Sequence, residues 1–360
     1  MDGMRYDFPS RSDRGGFSIM EQEGAKAVSL IPVYQSSTYP AHVSMATGVY
    51  PDKHGILHNG FWDKQKGKFS YSPDADWIES PPIWVLAEQQ GIKSATFFWV
   101  GSETNWNGTS LSFSKEPFDG KISESQKIEQ ILKWIDLPEN EKPQLIMTWW
   151  HGADSMSHKY GPNHQNVTDQ IKDQDQLLLK LINSLKQRDA FVSTTLIVVS
   201  DHGMSEVSNV INLTELVDKL KIKGKLSVGP AVGHLFLEDL SEKEKVAELI
   251  NDELFLNAYT KKNLPLDFHM LHDQRTGDIV ITTKAPNMLS NRASNNPPKG
   301  MHGYNPDINF EMEGVFFAMG NGVSKNRMDK FQQIDLAPTI ANLLNINMPK
   351  NIDGKSISLD

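Results

Sequence analysis

The sequence contains no cysteine. Disulfides, cysteine nucleophiles and thiolate zinc sites are excluded, so any bound metal must rest on histidine and carboxylate. Long hydrophobic runs are also missing: no stretch of about 18 apolar residues reads as a membrane span. A basic excess is lacking as well. The formal charge is −9, against the positive face that a stable nucleic-acid complex needs. Internal repeats and low-complexity tracts are absent. The rest is ordinary: 38% apolar and 22% charged residues over 360 positions suit a large buried core and argue against disorder.

Two stretches organise the chain. Residues 145–150 read LIMTWW and residues 195–200 read TLIVVS, apolar and rich in strand formers, as expected of strands buried on both faces. Each runs into metal-binding side chains: Asp154 and His158 after the first, Asp201 and His202 after the second. Chemistry in open α/β sheets sits just past the carboxyl ends of such strands. Asp154 and His158 are four apart, which on a helix puts both on one face. His302 lies in NNPPKGMHGYNP, a Gly- and Pro-rich loop better suited to a ligand than to a core histidine.

The other segments alternate strand and helix. AKAVSLIPVY at 25–34 reads as strand. Residues 82–100 read as helix, glycine stop and strand; residues 124–135 and 166–187 read as amphipathic helices. Residues 314–320 give one more buried strand, followed by a closing helix with Pro338 near its start. This alternation predicts an α/β fold with a mainly parallel sheet, in a single catalytic domain over residues 1–360. A smaller α+β subregion is expected at about 206–295. Between 38 and 48, Pro40 suits the first turn of a helix, so Thr38 stands where a strand gives way to a helix. Free N–H groups and the helix dipole favour a phosphate there. Thr38 would also serve as a plain helix cap, and Asn59-Gly60 as a hairpin turn.

Seven motifs carry a resemblance to a known family: DGMR at 2–5, TYPAH at 38–42, TGVYPDKHGILHN at 47–59, TFFWVGSE at 96–103, DSMSHKYGP at 154–162, SDHGM at 200–204 and MHGY at 301–304. In this order they resemble the nucleotide pyrophosphatase/phosphodiesterase family of the alkaline phosphatase superfamily. The resemblance implies an alkaline-phosphatase-like three-layer α/β/α sandwich and two zinc ions. One zinc would be held by Asp154, His158 and His302, the other by Asp2, Asp201 and His202. It also implies Thr38 as nucleophile and metal-contacting residue, a phospho-threonine intermediate, and Asn59 as a donor to a phosphate oxygen, with a backbone N–H near Tyr39 assisting. Two metals about 3.5–4 Å apart suit in-line displacement and make a separate base for the threonine unnecessary.

The implied substrate is a nucleotide or another phosphodiester. A lysophospholipid or choline-type diester, a phosphomonoester, and a metal-binding relative without turnover are the alternatives. A sulfatase is disfavoured, because its nucleophile derives from Cys or Ser whereas this site reads STYPAH. Diesters are expected over monoesters: no arginine lies between Thr38 and Asp63, and Asn59 is neutral. Arg5, Lys53, Lys64 and Lys66 are the cations near enough in sequence to alter that. Ala41, where many relatives carry Asn, falls on the helix behind the nucleophile. Tyr39, Trp99 and Trp106 could wall a nucleobase, with Phe97 and Phe98 in the core. The remaining histidines are assigned to packing or surface, His54 supporting the loop that carries Asn59 and His151 lying close to the site. Asp2 needs anchoring at a strand end, yet only Met1 precedes it. The expectation is an apolar strand and an export signal upstream, and a periplasmic or secreted location.

Overall fold

The computed structural model describes all 360 residues. Its centre is the strand Phe316–Gly320, whose side chains alternate between two cores. Phe316 and Ala318 join Met45 and Ala46, Ile83–Ala87, Leu336 and Ala341 on one face. Phe317 and Met319 join Phe17, Met20, Ile171, Leu178 and Ile182 on the other. The period of two that a strand imposes therefore sends alternate residues to helices on opposite faces, which is the three-layer α/β/α arrangement.

The sheets are mixed rather than mainly parallel. One runs Asn326–Met328, Ala25–Ala27, Phe316–Gly320, Thr195–Val199. In it Phe316–Gly320 is antiparallel to both neighbours, with Phe316 opposite Val199 and Gly320 opposite Thr195. The reason is the path of the chain. It reaches Phe316 from the end of the sheet where His302 is delivered, so it enters at the carboxyl end of Thr195–Val199 and must run back. The three-stranded sheet, Phe113–Lys115, Ser94–Phe97, Leu145–Thr148, is parallel throughout, as are the two-stranded pairs Asn209–Asn212 with Asn287–Ser290 and Leu30–Ile31 with Phe331–Gln332.

The helices follow their sequence signals. Glu124–Ile135 starts with a capping box in which Ser123 and Gln126 satisfy each other's backbone N–H. Gln165–Lys186 buries Val167, Ile171, Leu178, Leu181, Ile182 and Leu185 along one side. The region expected as α+β contains a four-stranded antiparallel sheet: Gly224–Val228, Val232–Leu237, Ile279–Thr282 and Asn257–Thr260. Helices Leu213–Lys219 and Lys243–Asn251 pack on it around a separate core. Asn59-Gly60 is not a hairpin turn. It lies at the open end of the hairpin Gly60–Asp63 with Gly67–Ser70, whose turn falls at residues 64–66. No helix is long and apolar enough to cross a membrane.

Candidate active site and metal centre

The helix Thr38–Thr47 begins at Thr38 itself; Ser37 is the extended residue before it, and the Ser37 side chain makes no capping bond. The Thr38 hydroxyl, buried, lies 3.4 Å from His202 Nε2. Asp154 and His158 share one face of the helix Gly152–Tyr160, with His158 Nε2 3.2 Å from Asp154 Oδ1. His302 Nε2 lies 3.7 Å from the same oxygen. Asp2 Oδ1 lies 3.4 Å from His202 Nε2, and Asp201 Oδ2 lies 3.5 Å from it. Thus Asp2, Thr38, Asp154, His158, Asp201, His202 and His302 meet at one place, from five separate parts of the chain.

Gly3 lets Asp2 come this close. It adopts a φ of +63°, and a Cβ there would sit 2.8 Å from the Asp154 Cα. The turn at the amino end and the helix that carries Asp154 therefore touch backbone to backbone.

All three histidines are oriented in the same way. Nδ1 of His158 donates to Gly300 O at 2.8 Å, that of His202 to Gly203 O at 2.8 Å, and that of His302 to Ser36 O at 3.0 Å. With the proton on Nδ1, each imidazole turns the Nε2 lone pair inward, as a metal ligand must. Three buried carboxylate oxygens converge on the same space without a hydrogen-bond partner: Asp2 Oδ1, Asp154 Oδ1 and Asp201 Oδ2. Orphaned buried oxygens are costly unless a cation meets them. Ligand atoms of Asp154, His158 and His302 lie within 4.8 Å of one another, and so do those of Asp2, Asp154 and His202. Asp154 belongs to both groups. The sequence had paired Asp2 and His202 with Asp201; in the fold Asp201 adds its free Oδ2 beside His202.

The electrostatics point the same way. Burial, with Asp201 and Asp154 alongside, pushes the Asp2 carboxyl well above its ordinary range. Burial works to raise Asp154 as well, but His158 and His302 outweigh it and hold the group at about 2. Burial lowers His158, but Asp154 outweighs it and leaves His158 raised. The pair competes for a single positive charge, which a proton or a metal ion can supply.

Asn59 sits across from the helix start, and its Oδ1 accepts from Tyr39 N–H at 2.8 Å. This changes one expectation. The Tyr39 N–H, expected to face a phosphate, is taken by Asn59, because a helix-start donor needs an acceptor. That bond fixes the amide and leaves Nδ2 as the remaining donor of the Asn59 side chain. The Tyr39 ring is held edge-on by Phe69 and Tyr71. Phe97 and Phe98 are core, packed with Ile128 and Trp134. Trp99 packs against His42, and Trp106 donates to Ile78 O.

Several contributors were missed from sequence. The Trp149 indole donates to Asp2 Oδ2 at 3.0 Å. Gln333 donates to Ser200 O at 3.0 Å and Asp201 O at 2.5 Å, pinning the turn that presents Asp201 and His202. His42, assigned to packing, bonds Thr38 O at 2.8 Å and lies 3.6 Å from Asp201 Oδ2. Its spacing of four from Thr38 was the available signal; Trp149 and Gln333 had none. His54 joins the helix to the loop before Asn59, through Ser44 at 2.8 Å and the Ile56 N–H at 3.1 Å. His151 precedes the Asp154 helix and packs on Trp149 and Phe118.

A buried hydroxyl at a helix start, beside converging carboxylates and inward-facing imidazoles, defines a metal-assisted hydrolase site. Comparison with known proteins gives the particular family. Residues 1–305 match the family model described as type I phosphodiesterase / nucleotide pyrophosphatase. The chain belongs to that family. A fission yeast (Schizosaccharomyces pombe) pyrophosphatase/phosphodiesterase is 26% identical over 98% of this chain and 77% of its own length. A venom phosphodiesterase of Crotalus durissus collilineatus is 28% identical over the whole chain, which spans only 45% of that protein. Among solved structures, murine ectonucleotide pyrophosphatase/phosphodiesterase 5 superposes with a TM-score of 0.89 at 25% identity, covering 98% of this chain and 96% of that one. That structure is of a form described as inactive, with threonine replaced by alanine, in complex with AMP. The fold is accordingly alkaline-phosphatase-like, with mixed sheets.

Proposed function

We propose that this chain is a two-zinc hydrolase that cleaves phosphodiester or pyrophosphate bonds of nucleotides through a phospho-threonine intermediate. The observation that carries the reading is the placement of the Thr38 hydroxyl beside three orphaned carboxylate oxygens and inward-facing imidazole nitrogens. Asp154, His158 and His302 would hold one zinc, and Asp2, Asp201 and His202 the other, with Thr38 in contact. Bound there, the metals would supply positive charge that acidifies a hydroxyl and offsets the charge of a transferring phosphoryl group. The whole chain would act as one catalytic domain, with the α+β part as a subregion.

The protein's own groups then have defined tasks. Thr38 Oγ1 gives up its proton to solvent and attacks phosphorus while the bond to the leaving oxygen breaks and that oxygen departs with the electron pair. Water next attacks the phospho-threonine, the Oγ1–P bond breaks, and the hydroxyl is restored with release of the phosphomonoester. Asn59 Nδ2 donates to a non-bridging oxygen, and its Oδ1 stays locked to Tyr39. The Tyr39 ring lies next to the nucleophile and offers an apolar face to a nucleoside. The AMP bound by the murine relative supports a nucleotide substrate. Venom enzymes and ectonucleotide enzymes among the relatives support a periplasmic or secreted location.

Diesters are the proposed preference, because the cations that could clamp a dianion are engaged elsewhere. Arg5 is bonded to Asp7 at 2.6 and 3.0 Å and to Met204 O at 3.0 Å. Lys53 pairs with Asp353, Lys64 with Asp278, and Lys66 with Asp76 O. The test is kcat/KM for a nucleoside phosphodiester, a matched monoester and glycerophosphocholine at one pH and one zinc concentration. The nucleoside diester should be fastest, by about tenfold or more over the monoester. A monoester that is faster by tenfold would overturn the assignment.

A further inference from the structure

Gln35, His58 and His234 are 1%, 8% and 2% exposed, and each holds a polar side-chain atom without a hydrogen-bond partner. For the two histidines that atom is Nε2; for Gln35 it is both Oε1 and Nε2. The three meet where the α+β subregion packs on the loops that lead to Thr38 and Asn59. His234 lies on the strand Val232–Leu237, opposite Ser227 and on the same face as Val232. Gly229, whose N–H donates to Val232 O at 2.8 Å, follows Ser227 by two residues on that face. A Cβ on Gly229 would fall 2.8 Å from His58 Nε2 and 3.1 Å from Gln35 Oε1. The glycine leaves room for both side chains beside His234.

These two imidazoles have the opposite polarity to those of the metal cluster. His58 Nδ1 accepts from Gly60 N–H at 3.3 Å, and His234 Nδ1 accepts from Gly277 N–H at 3.2 Å. In a neutral ring the proton then sits on Nε2, so the unpartnered atom is a donor. A metal ion does not suit the site. It would take the Nε2 lone pair and force a proton onto Nδ1, against the backbone N–H. With the Gln35 amide, the three side chains offer two imidazole N–H groups and an NH₂ against a single acceptor, Gln35 Oε1. Water does not correct that excess, because each molecule brings donors along with its acceptor sites. A species that only accepts does correct it. The surrounding charge agrees. Burial holds His58 down at about 4 and His234 at about 3. The partly buried Lys261 ammonium acts on His234, and no carboxylate acts on either ring.

We propose that Gln35, His58 and His234 form a buried binding site for a small inorganic anion, chloride under ordinary conditions, with the two Nε2–H groups and the Gln35 amide as its donors. All three side chains are closed from solvent, which favours a monatomic anion over a phosphate or a carboxylate ligand. The anion acts as a tie. Gln35 stands three residues before Thr38 and His58 one before Asn59, so it joins both loops to the strand Val232–Leu237.

The experiment reads Tm of the full chain at pH 8, where both imidazoles are neutral, in sodium chloride, bromide and gluconate at equal ionic strength. Equal ionic strength removes general screening from the comparison. Chloride and bromide should raise Tm over gluconate by about 3 °C or more, saturating with concentration. His234→Leu and Gln35→Leu each remove donors from the site and should each abolish that difference, whatever their own Tm. Halide bound at the metal cluster would persist in both variants and so cancels. A second measurement needs no variant: a crystal of the wild-type chain in bromide should show an anomalous bromine peak among the three side chains. Equal Tm in chloride and gluconate, a halide effect unchanged in both variants, or a bromide crystal with only water among the three side chains would each overturn the proposal.

Discussion

Acid should destabilise this protein through histidines that lie outside the metal cluster. Burial pushes His54 down to about 3, His58 to about 4 and His234 to about 3, against an ordinary value of 6.5. His54 is held neutral by its bonds to Ser44 and the Ile56 N–H, and a proton added at Nδ1 would meet that N–H head-on. Because the folded values are depressed, the unfolded chain takes up protons first as pH falls. Stability is therefore intact above about 6.5 and declines until the folded values are reached. Between pH 7 and pH 5 each imidazole forfeits on the order of 2 kcal/mol, at about 1.4 kcal/mol per pH unit below 6.5. Three such groups together rival the total stability of a typical domain, roughly 5–15 kcal/mol. The assay is urea unfolding of metal-free protein at pH 7 and pH 5, for wild type and His54→Gln. The variant is less stable at pH 7 because it loses packing, but its pH 7 to pH 5 difference should shrink by about 2 kcal/mol. An unchanged difference would show that His54 is not held neutral, and the reasoning would fail.

Three further outcomes are expected. Thr38→Ala should lower turnover of a nucleoside diester at least about a hundredfold while metal content stays unchanged, and Thr38→Ser should retain measurable activity. Chelation should abolish activity and lower Tm, and zinc should restore both, because metal binds only the folded cluster; full activity in metal-free protein would end the two-zinc reading. Trp149→Phe keeps the aromatic bulk but leaves Asp2 Oδ2 without its 3.0 Å donor, so metal affinity measured by competition with a chelator should fall about tenfold or more.

The sequence disclosed more of the site than of the sheet, and there is a physical reason. Asp154 and His158 are close because a helix makes any i,i+4 pair close, and Asp201 and His202 are close because they are adjacent. Such facts are local and can be read from spacing. Strand direction is not local. Phe316–Gly320 reads identically whether it runs parallel or antiparallel, and its direction depends on which end of the sheet the preceding loop reaches. The same limit explains Trp149 and Gln333. Their roles depend on bonds to Asp2 and to Ser200 and Asp201, across 147 and 133 or 132 positions of sequence respectively.

The Asn59-Gly60 pair shows how a sound local signal can be outvoted. The dipeptide favours a tight turn, yet here Asn59 spends its side-chain oxygen on the Tyr39 N–H and its backbone oxygen on Tyr71 N–H at 2.9 Å. Both bonds form only when the helix start and the hairpin are already side by side. A residue so bound is no longer a turn former. It becomes a neutral side chain of fixed orientation, placed by the same bond that closes the helix start. The charge balance of the cluster rests on Asp2, Asp154 and Asp201, whose unpaired oxygens call for cations, and under the proposed function the donor offered to substrate, Asn59, carries no charge. A diester monoanion matches that division; a dianion would need a cation that Arg5, Lys53, Lys64 and Lys66 are not free to provide.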